Sequence, residues 1–237
     1  MINVNQVKQA FGKKVILQDV SFSMDKGEII GLLGPSGSGK TTLIKTLIGM
    51  MRPTKGDIYV LGMKQPSLKP MKNIGYMAQS DALYEELSAH ANLAYFGRLY
   101  GLKGKRLKKR IQECLSFVDL DSDINKPVHK YSGGMKRRLS LAISLIHEPK
   151  LIFLDEPTVG IDPALKRIFW DEFENLRSQG ISFLVSTHVM DEAERCDRLL
   201  LVKDGKLFEA GPPENLIKTY GSIDEAFIKV GEEVCRS

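Results

Sequence analysis

The sequence predicts an α/β fold in which a mainly parallel sheet is interrupted by a helical lobe. Three observations carry that reading. The runs "EIIGLLG" (28–34), "KLIFLDE" (150–156) and "ISFLVST" (181–187) are short and almost continuously apolar, the composition of strands covered on both faces. A helix-period segment between the last two places Leu165, Phe169, Phe173 and Leu176 on one side, as a crossover between parallel strands requires. From about 88 to 148, strand signals give way to helical ones.

In chain order, "VSFSM" (20–24) alternates as a half-buried strand does, and 28–34 follows as a strand ending at glycine. "GKTTLIKTLIGM" (39–50) then sets Leu43, Ile44, Leu47 and Ile48 at helical spacing. "GDIYVLG" (56–62) and "NIGYMAQ" (73–79) are β-rich pieces bounded by turn residues. In the lobe, "LAYFGRLYGL" (93–102) and "KRLKKRIQECLSFVDL" (105–120) read as amphipathic helices. "MKRRLSLAISLI" (135–146) puts Leu139, Ala142, Ile143 and Ile146 on one face. After the strands at 150–156 and 181–187, "RLLLVKDGKLFEAG" (198–211) is a hairpin turning at Asp204-Gly205. The stretch 212–234 reads as one or two short helices.

At 237 residues, 43% hydrophobic and 27% charged, the composition is that of a soluble globular protein, either one large domain or a core with an inserted lobe. No apolar stretch approaches a bilayer span, and the start lacks the pattern of a secretory signal, so a cytoplasmic location is expected. Cys114, Cys196 and Cys235 are scattered, with no C-x-x-C pair, and the four histidines are dispersed. Both facts argue against a disulfide framework and a zinc site. A net charge of +5 permits an anionic ligand or membrane surface without demanding nucleic acid.

"GPSGSGKTT" matches the phosphate-binding loop G-x-x-x-x-G-K-[ST], and it lies where that loop works, after a strand and at the head of a helix. Gly34, Pro35, Ser36, Gly37, Ser38 and Gly39 let backbone N–H groups surround phosphate oxygens. Lys40 reaches the β- and γ-phosphates, and Thr41, followed by Thr42, offers a hydroxyl to Mg²⁺. A glycine-rich turn capping a helix is the plainer alternative. A Rossmann G-x-G-x-x-G is not met, because Thr42 stands where the third glycine belongs. "LIFLDEP" adds a buried strand that presents Asp155, suited to hold Mg²⁺, and Glu156, suited to polarise a water. "YSGGMKRR" (131–138) places Ser132, Gly133 and Gly134 at the head of a helix, a second anion-binding terminus far along the chain.

"SGGMKRR" followed by "LIFLDEPT" resembles the ATP-binding-cassette family, and the resemblance covers nearly the whole chain. It implies a P-loop NTPase core with a mainly parallel sheet, an N-terminal antiparallel β element and an inserted helical subdomain. The whole is one nucleotide-binding domain, residues 1–237, with its core at about 1–87 and 149–237 and its helical subdomain at about 88–148. It implies an ATPase that uses ATP and Mg²⁺, pairs with a second nucleotide-binding subunit (a copy or a paralogue) and drives a separate transmembrane permease from the cytoplasmic face. Nucleic acid is not an expected partner. By the same resemblance Phe11 stacks on adenine, and Gln79 contacts Mg²⁺ and water while sensing the permease. Ser132, Gly133 and Gly134 close over the partner's ATP, Asp162 lies in the loop at the dimer seam, and His188 in "STHVMDEAE" contacts the γ-phosphate.

The chain departs from the family pattern at Met135, where a glutamine is usual, and at Tyr131, where a leucine is. Met135 cannot supply amide hydrogen bonds, so Ser132 and backbone N–H groups must make any contact there. "YSGGMKRR" with "EPTVGIDP" is similar to the branch that powers exporters of drugs, lipids or polysaccharides, and some ion-efflux systems. A cassette ATPase acting on a soluble assembly is the alternative. A small-molecule kinase explains 34–41 but leaves the second glycine site and His188 without a job.

Two surfaces of the lobe remain. Leu83, Tyr84, Leu87, Tyr95, Phe96 and Tyr100 suit a groove for a helix of a membrane subunit, but most of them are expected in the lobe's own core. The basic run 103–110 is expected to be a solvated helix face rather than a lipid contact.

Overall fold

The computed structural model describes residues 1–80 and 82–235, and the side chains of these except at 209, 210 and 230–235. Along the chain run β1 (Ile2–Phe11), β2 (Lys14–Met24), β3 (Ile29–Leu33), α1 (Lys40–Leu47), β4 (Lys55–Val60), β5 (Met63–Lys64) and β6 (Ile74–Met77). Next come α2 (Ala89–Leu99), α3 (Gly104–Phe117), α4 (Gly133–Leu145), β7 (Leu151–Asp155), α5 (Pro163–Ser178) and β8 (Ser182–Thr187). The chain continues through α6 (Met190–Ala193), β9 (Arg198–Lys203), β10 (Lys206–Gly211), α7 (Pro213–Tyr220) and α8 (Ile223–Cys235). Two compact units emerge, Met1–Met71 with Ser182–Ser237, and Lys72–Ile181.

In the first unit, β2, β1, β4 and β5 form an antiparallel sheet, and β3 lies between β8 and β9, parallel to both. Every residue of β3 and β8 is buried, which accounts for the apolar runs at 29–33 and 183–185, and Ser182, Ser186 and Thr187 are buried with them. The hairpin of β9 and β10 turns as expected, with positive φ at Asp204 (49°) and Gly205 (75°). Gly205 is dictated by a close approach as well, since a Cβ there would lie 2.4 Å from the Ile16 carbonyl oxygen. The amide of Gln18 donates to the Gly205 carbonyl at 2.7 Å, fixing this turn against β2.

In the second unit β6 and β7 are parallel, paired from Ile74↔Leu151 to Met77↔Leu154. Helices α2, α3 and α4 pack on one another, and α4 also packs on β6. That approach is close: a Cβ on Gly75 would sit 2.4 Å from the Ser144 carbonyl oxygen. Helix α5 buries Leu165, Phe169, Trp170 and Phe173 and leaves Leu176 half-buried. The α4 face also forms as expected, except that Ile143 is half-exposed while Leu141 and Leu145 are buried. In α3 the lysines at 105, 108 and 109 and Arg106 face solvent, as a solvated basic face requires, with Leu107, Ile111 and Leu115 turned inward.

The aromatic set of the lobe departs from expectation. Tyr84, Leu87, Tyr95 and Tyr100 are 38–46% exposed, and Leu83 and Phe96 are half-buried, so the set is not core. Helix α2 spends its buried face on Ala89, Leu93, Ala94 and Gly97, which leaves Tyr95 on the other side. The buried Asn92 side chain accepts from the Tyr84 amide at 3.0 Å and donates to the Tyr84 carbonyl at 3.0 Å. This holds the preceding loop so that Tyr84 meets Tyr95 edge-on, ring centroids 4.9 Å apart, at the surface.

Candidate functional site

The first unit builds the loop expected to bind phosphate. Strand β3 ends at Leu33, and the chain bends at Gly34, where a Cβ would lie 2.3 Å from the Val202 carbonyl oxygen and 2.7 Å from Ser38 Oγ. Only glycine fits this bend. Gly39 caps α1 at φ 111°, and as a glycine it offers no side chain to the start of the helix. Lys40, 6% exposed, folds back into the loop and donates from Nζ to the carbonyls of Gly34 (2.7 Å) and Pro35 (3.1 Å). Ser38 Oγ is buried with no hydrogen-bond partner, which is costly unless a ligand supplies one. Thr41 and Thr42 are half-buried, while Pro35, Ser36 and Gly37 are exposed.

A cleft of about 280 Å³ opens beside the loop, lined by Lys14, Ile16, Ser36, Gly37, Ser38 and Gly205 among others. Phe11, at the end of β1, is 51% exposed, a platform available for stacking. His188 is exposed just past β8 and lines a small apolar pocket of about 130 Å³ with Gly34, Pro35, Met190 and Phe227. Its turn is fixed by a buried pair not foreseen from sequence: Thr187 Oγ1 donates to Glu192 Oε2 at 2.7 Å and accepts from the Val189 amide at 3.0 Å.

The second unit gathers the remaining expected residues. Asp155, 1% exposed, ends β7. Glu156 follows with φ 53°, a left-handed backbone that a non-glycine residue adopts at a cost of about 1–3 kcal/mol, held only where its surroundings enforce it. Gln79 lies two residues past β6, and its Nε2 donates to Glu156 Oε2 at 3.4 Å. Ser132 caps α4, accepting from the Met135 amide at 3.2 Å, with Gly133 exposed beside it. Gly134 comes close to the loop after β7, since a Cβ there would lie 3.0 Å from the Gly160 carbonyl oxygen. Asp162 caps α5, its Oδ1 accepting from the Leu165 amide at 3.0 Å, so its carboxylate has a structural task at the head of that helix.

Two further residues of this unit explain themselves only in three dimensions. Tyr131 is buried and donates from its hydroxyl to the Asp123 carbonyl at 2.7 Å; burial pushes that hydroxyl up to about 12. A phenol thus fills the place of the usual leucine because it has found a partner for its polar tip. Arg137, 6% exposed, donates to the carbonyls of Ala78, Gln79, Asp155 and Glu156. Beside it, burial pushes the Tyr76 hydroxyl up to about 12, with the Asp155 carboxylate raising it further and Arg137 opposing.

Among the described residues no helix is long and apolar enough to cross a membrane. The family model for ABC transporter matches residues 17–159. A probable multidrug ABC transporter ATP-binding protein of Escherichia coli, YbhF, is 41% identical over 227 residues, which are 95% of this chain and 39% of that protein. The Nod factor export ATP-binding protein I of Sinorhizobium fredii is 40% identical over 219 residues, 91% of this chain and 64% of that protein. The chain therefore spans about two fifths of the first relative and just under two thirds of the second. Among solved structures, an ATP-binding subunit of an ABC transporter superposes with a TM-score of 0.88 at 28% identity, covering 97% of this chain and 98% of that one. A dimeric ATP-binding cassette in a post-hydrolysis state, bound to ADP and Pi, gives 0.81 at 26% identity, covering 88% and 98%.

Proposed function

The chain belongs to the ABC transporter family, and from that premise we propose that it is an ATP-hydrolysing subunit. It dimerises around Mg-ATP and powers a separate membrane permease of the export type. The observation that carries this reading is the loop at 34–42, where a buried, unpartnered Ser38 hydroxyl and the Lys40 ammonium lie in a glycine-rich bend packed so closely that a Cβ at Gly34 would meet the Val202 carbonyl. Such a loop suits phosphate oxygens. Thr41 and Asp155 offer hard oxygens of the kind that hold Mg²⁺ together with substrate phosphates and water. Bound Mg²⁺ would neutralise charge on the phosphate oxygens.

In this reading Lys40 holds the phosphates, Phe11 stacks on adenine, and Glu156 polarises the attacking water, which Gln79 helps to hold. His188 contacts the γ-phosphate. Ser132, Gly133 and Gly134 form the second anion site, offered to the nucleotide of the partner subunit, and Asp162 positions the loop before α5. The chain acts as one nucleotide-binding domain, with the helical subdomain at about 88–148 inserted in the core at about 1–87 and 149–237. It works at the cytoplasmic face through the permease. Export is supported by the relatives, a probable multidrug ABC transporter ATP-binding protein and a Nod factor export ATP-binding protein, and both favour this reading over an ATPase of a soluble assembly. The exposed Tyr84, Leu87 and Tyr95 supply an apolar surface for a permease helix.

A concentration series of ATP turnover tests the two-subunit requirement. Specific activity is expected to rise with protein concentration, and Ser132→Arg is expected to abolish that rise while nucleotide binding by the monomer stays within about threefold. Turnover independent of concentration, or ATP-driven dimers of Ser132→Arg, contradicts the two-subunit reading. Tagged chain purified from membranes in Mg-ATP is expected to retain one polytopic membrane protein in stoichiometric amount. Recovery of soluble assemblies alone keeps the ATPase and discards the transporter.

A further inference from the structure

Parallel pairing of β6 with β7 ends at Met77↔Leu154. The next two residues of each chain segment, Ala78 and Gln79 after β6 and Asp155 and Glu156 at the end of β7, carry the side chains proposed to order water and metal. Here the backbone carbonyls are held by a side chain. Arg137, five residues into α4 from the Gly133 start, reaches both segments. Its Nη1 donates to Ala78 O (2.7 Å) and Gln79 O (3.0 Å), and its Nη2 donates to Asp155 O and to Glu156 O (2.6 Å). A planar guanidinium offers paired donors in fixed geometry, whereas an ammonium is a single point. The fork thus spans two loops that the sheet no longer ties together.

We propose that Arg137 is a positioning residue: its guanidinium locks the Gln79 loop to the Asp155–Glu156 turn and so fixes where Gln79 and Glu156 hold the attacking water. Two facts favour this over general packing. The carbonyl of Glu156, the residue with φ 53°, is one of its acceptors, so the clamp helps to enforce a backbone that would otherwise relax. Gln79 and Glu156, both tied by backbone to the same guanidinium, also meet side chain to side chain at 3.4 Å. The neighbouring Arg138 provides an internal comparison, since it donates to the carbonyls of Val118 and Asp119, which carry no proposed chemistry.

The inference rests on Glu156 being the group that polarises water, and the test separates the two claims. In the full chain, ATP turnover, KM, nucleotide binding and unfolding temperature are measured for Arg137→Lys, Arg137→Met, Arg138→Met and Glu156→Gln. Arg137→Met is also combined with Glu156→Gln. Misplacement by about 1 Å costs about 10²-fold, so kcat of Arg137→Met is expected to fall about 10- to 100-fold with KM within about threefold. Arg137→Lys, which keeps the charge without the fork, is expected to fall similarly, and it carries the test alone if the methionine variant does not fold. Arg138→Met is expected to lose stability and keep kcat within about twofold. On the Glu156→Gln background, Arg137→Met is expected to change residual turnover by less than about twofold. Wild-type kcat in Arg137→Lys overturns the proposal, as does an equal kcat loss in Arg138→Met or an equal fold-loss from Arg137→Met with and without Glu156. Near-normal turnover in Glu156→Gln alone overturns the underlying reading instead.

Discussion

Glu156→Gln is expected to lower ATP turnover by about 10²- to 10⁴-fold, the range for loss of a general base, while ATP binding survives and ATP-bound dimers accumulate. The substitution is nearly isosteric, so the backbone at φ 53° and its carbonyl bond to Arg137 can persist. What disappears is the carboxylate proposed to draw a proton from water. Phosphate release measures the first effect, and gel filtration in Mg-ATP the second. Glu156→Gly separates strain from chemistry. Glycine adopts the left-handed backbone freely, so this variant is expected to gain about 1 kcal/mol of stability while losing turnover as the glutamine variant does. A glutamine variant that keeps near-wild-type turnover removes Glu156 from the role of base.

Much of this architecture can be read locally. Strands β3, β7 and β8 are centred on short apolar runs, and the loop at 34–42 gathers its residues into nine successive positions, with Gly34 where a Cβ would meet the Val202 carbonyl and Gly37 and Gly39 where φ is positive. The cap at Ser132 and the turn at Asp204-Gly205 are equally local, and both form as their residue types dictate. Arg137 was not legible, because its acceptors are backbone carbonyls 18–19 and 58–59 residues away, and a backbone carbonyl has no letter in a sequence. In sequence it is one of three successive cations in "MKRR", a pattern that reads as easily as a solvated face. The pair of Thr187 and Glu192 was hidden for a similar reason: a glutamate in "MDEAE" reads as surface, yet its carboxylate is buried against a hydroxyl five residues earlier. Tyr84 and Tyr95 erred the other way, since aromatic spacing shows that residues share a face but not whether anything covers it.

Lys40→Met is expected to weaken Mg-ATP binding by about 2–5 kcal/mol, the usual penalty for truncating one partner of a buried charge contact, or about 30- to 5,000-fold in Kd. The ammonium is 6% exposed and bonded to Gly34 O at 2.7 Å and Pro35 O at 3.1 Å, so the loop already holds a cation at its centre. Phosphate oxygens entering the cradle meet that charge out of bulk water, where its attraction is screened least. Methionine keeps the length and apolar stem while removing charge and donors, so the loss reports on electrostatics rather than packing. Fluorescence titration with an ATP analogue gives Kd directly. The shift of unfolding temperature with nucleotide gives an independent value, because a ligand at about 100 times its Kd stabilises the folded chain by about 2.7 kcal/mol and a weakened one does not. The contrast with Glu156→Gln is the discriminating result: one variant must bind without turning over, the other must fail to bind. A Lys40→Met chain with wild-type affinity places the phosphates somewhere other than this loop, and the roles drawn for Ser38 and Thr41 go with them.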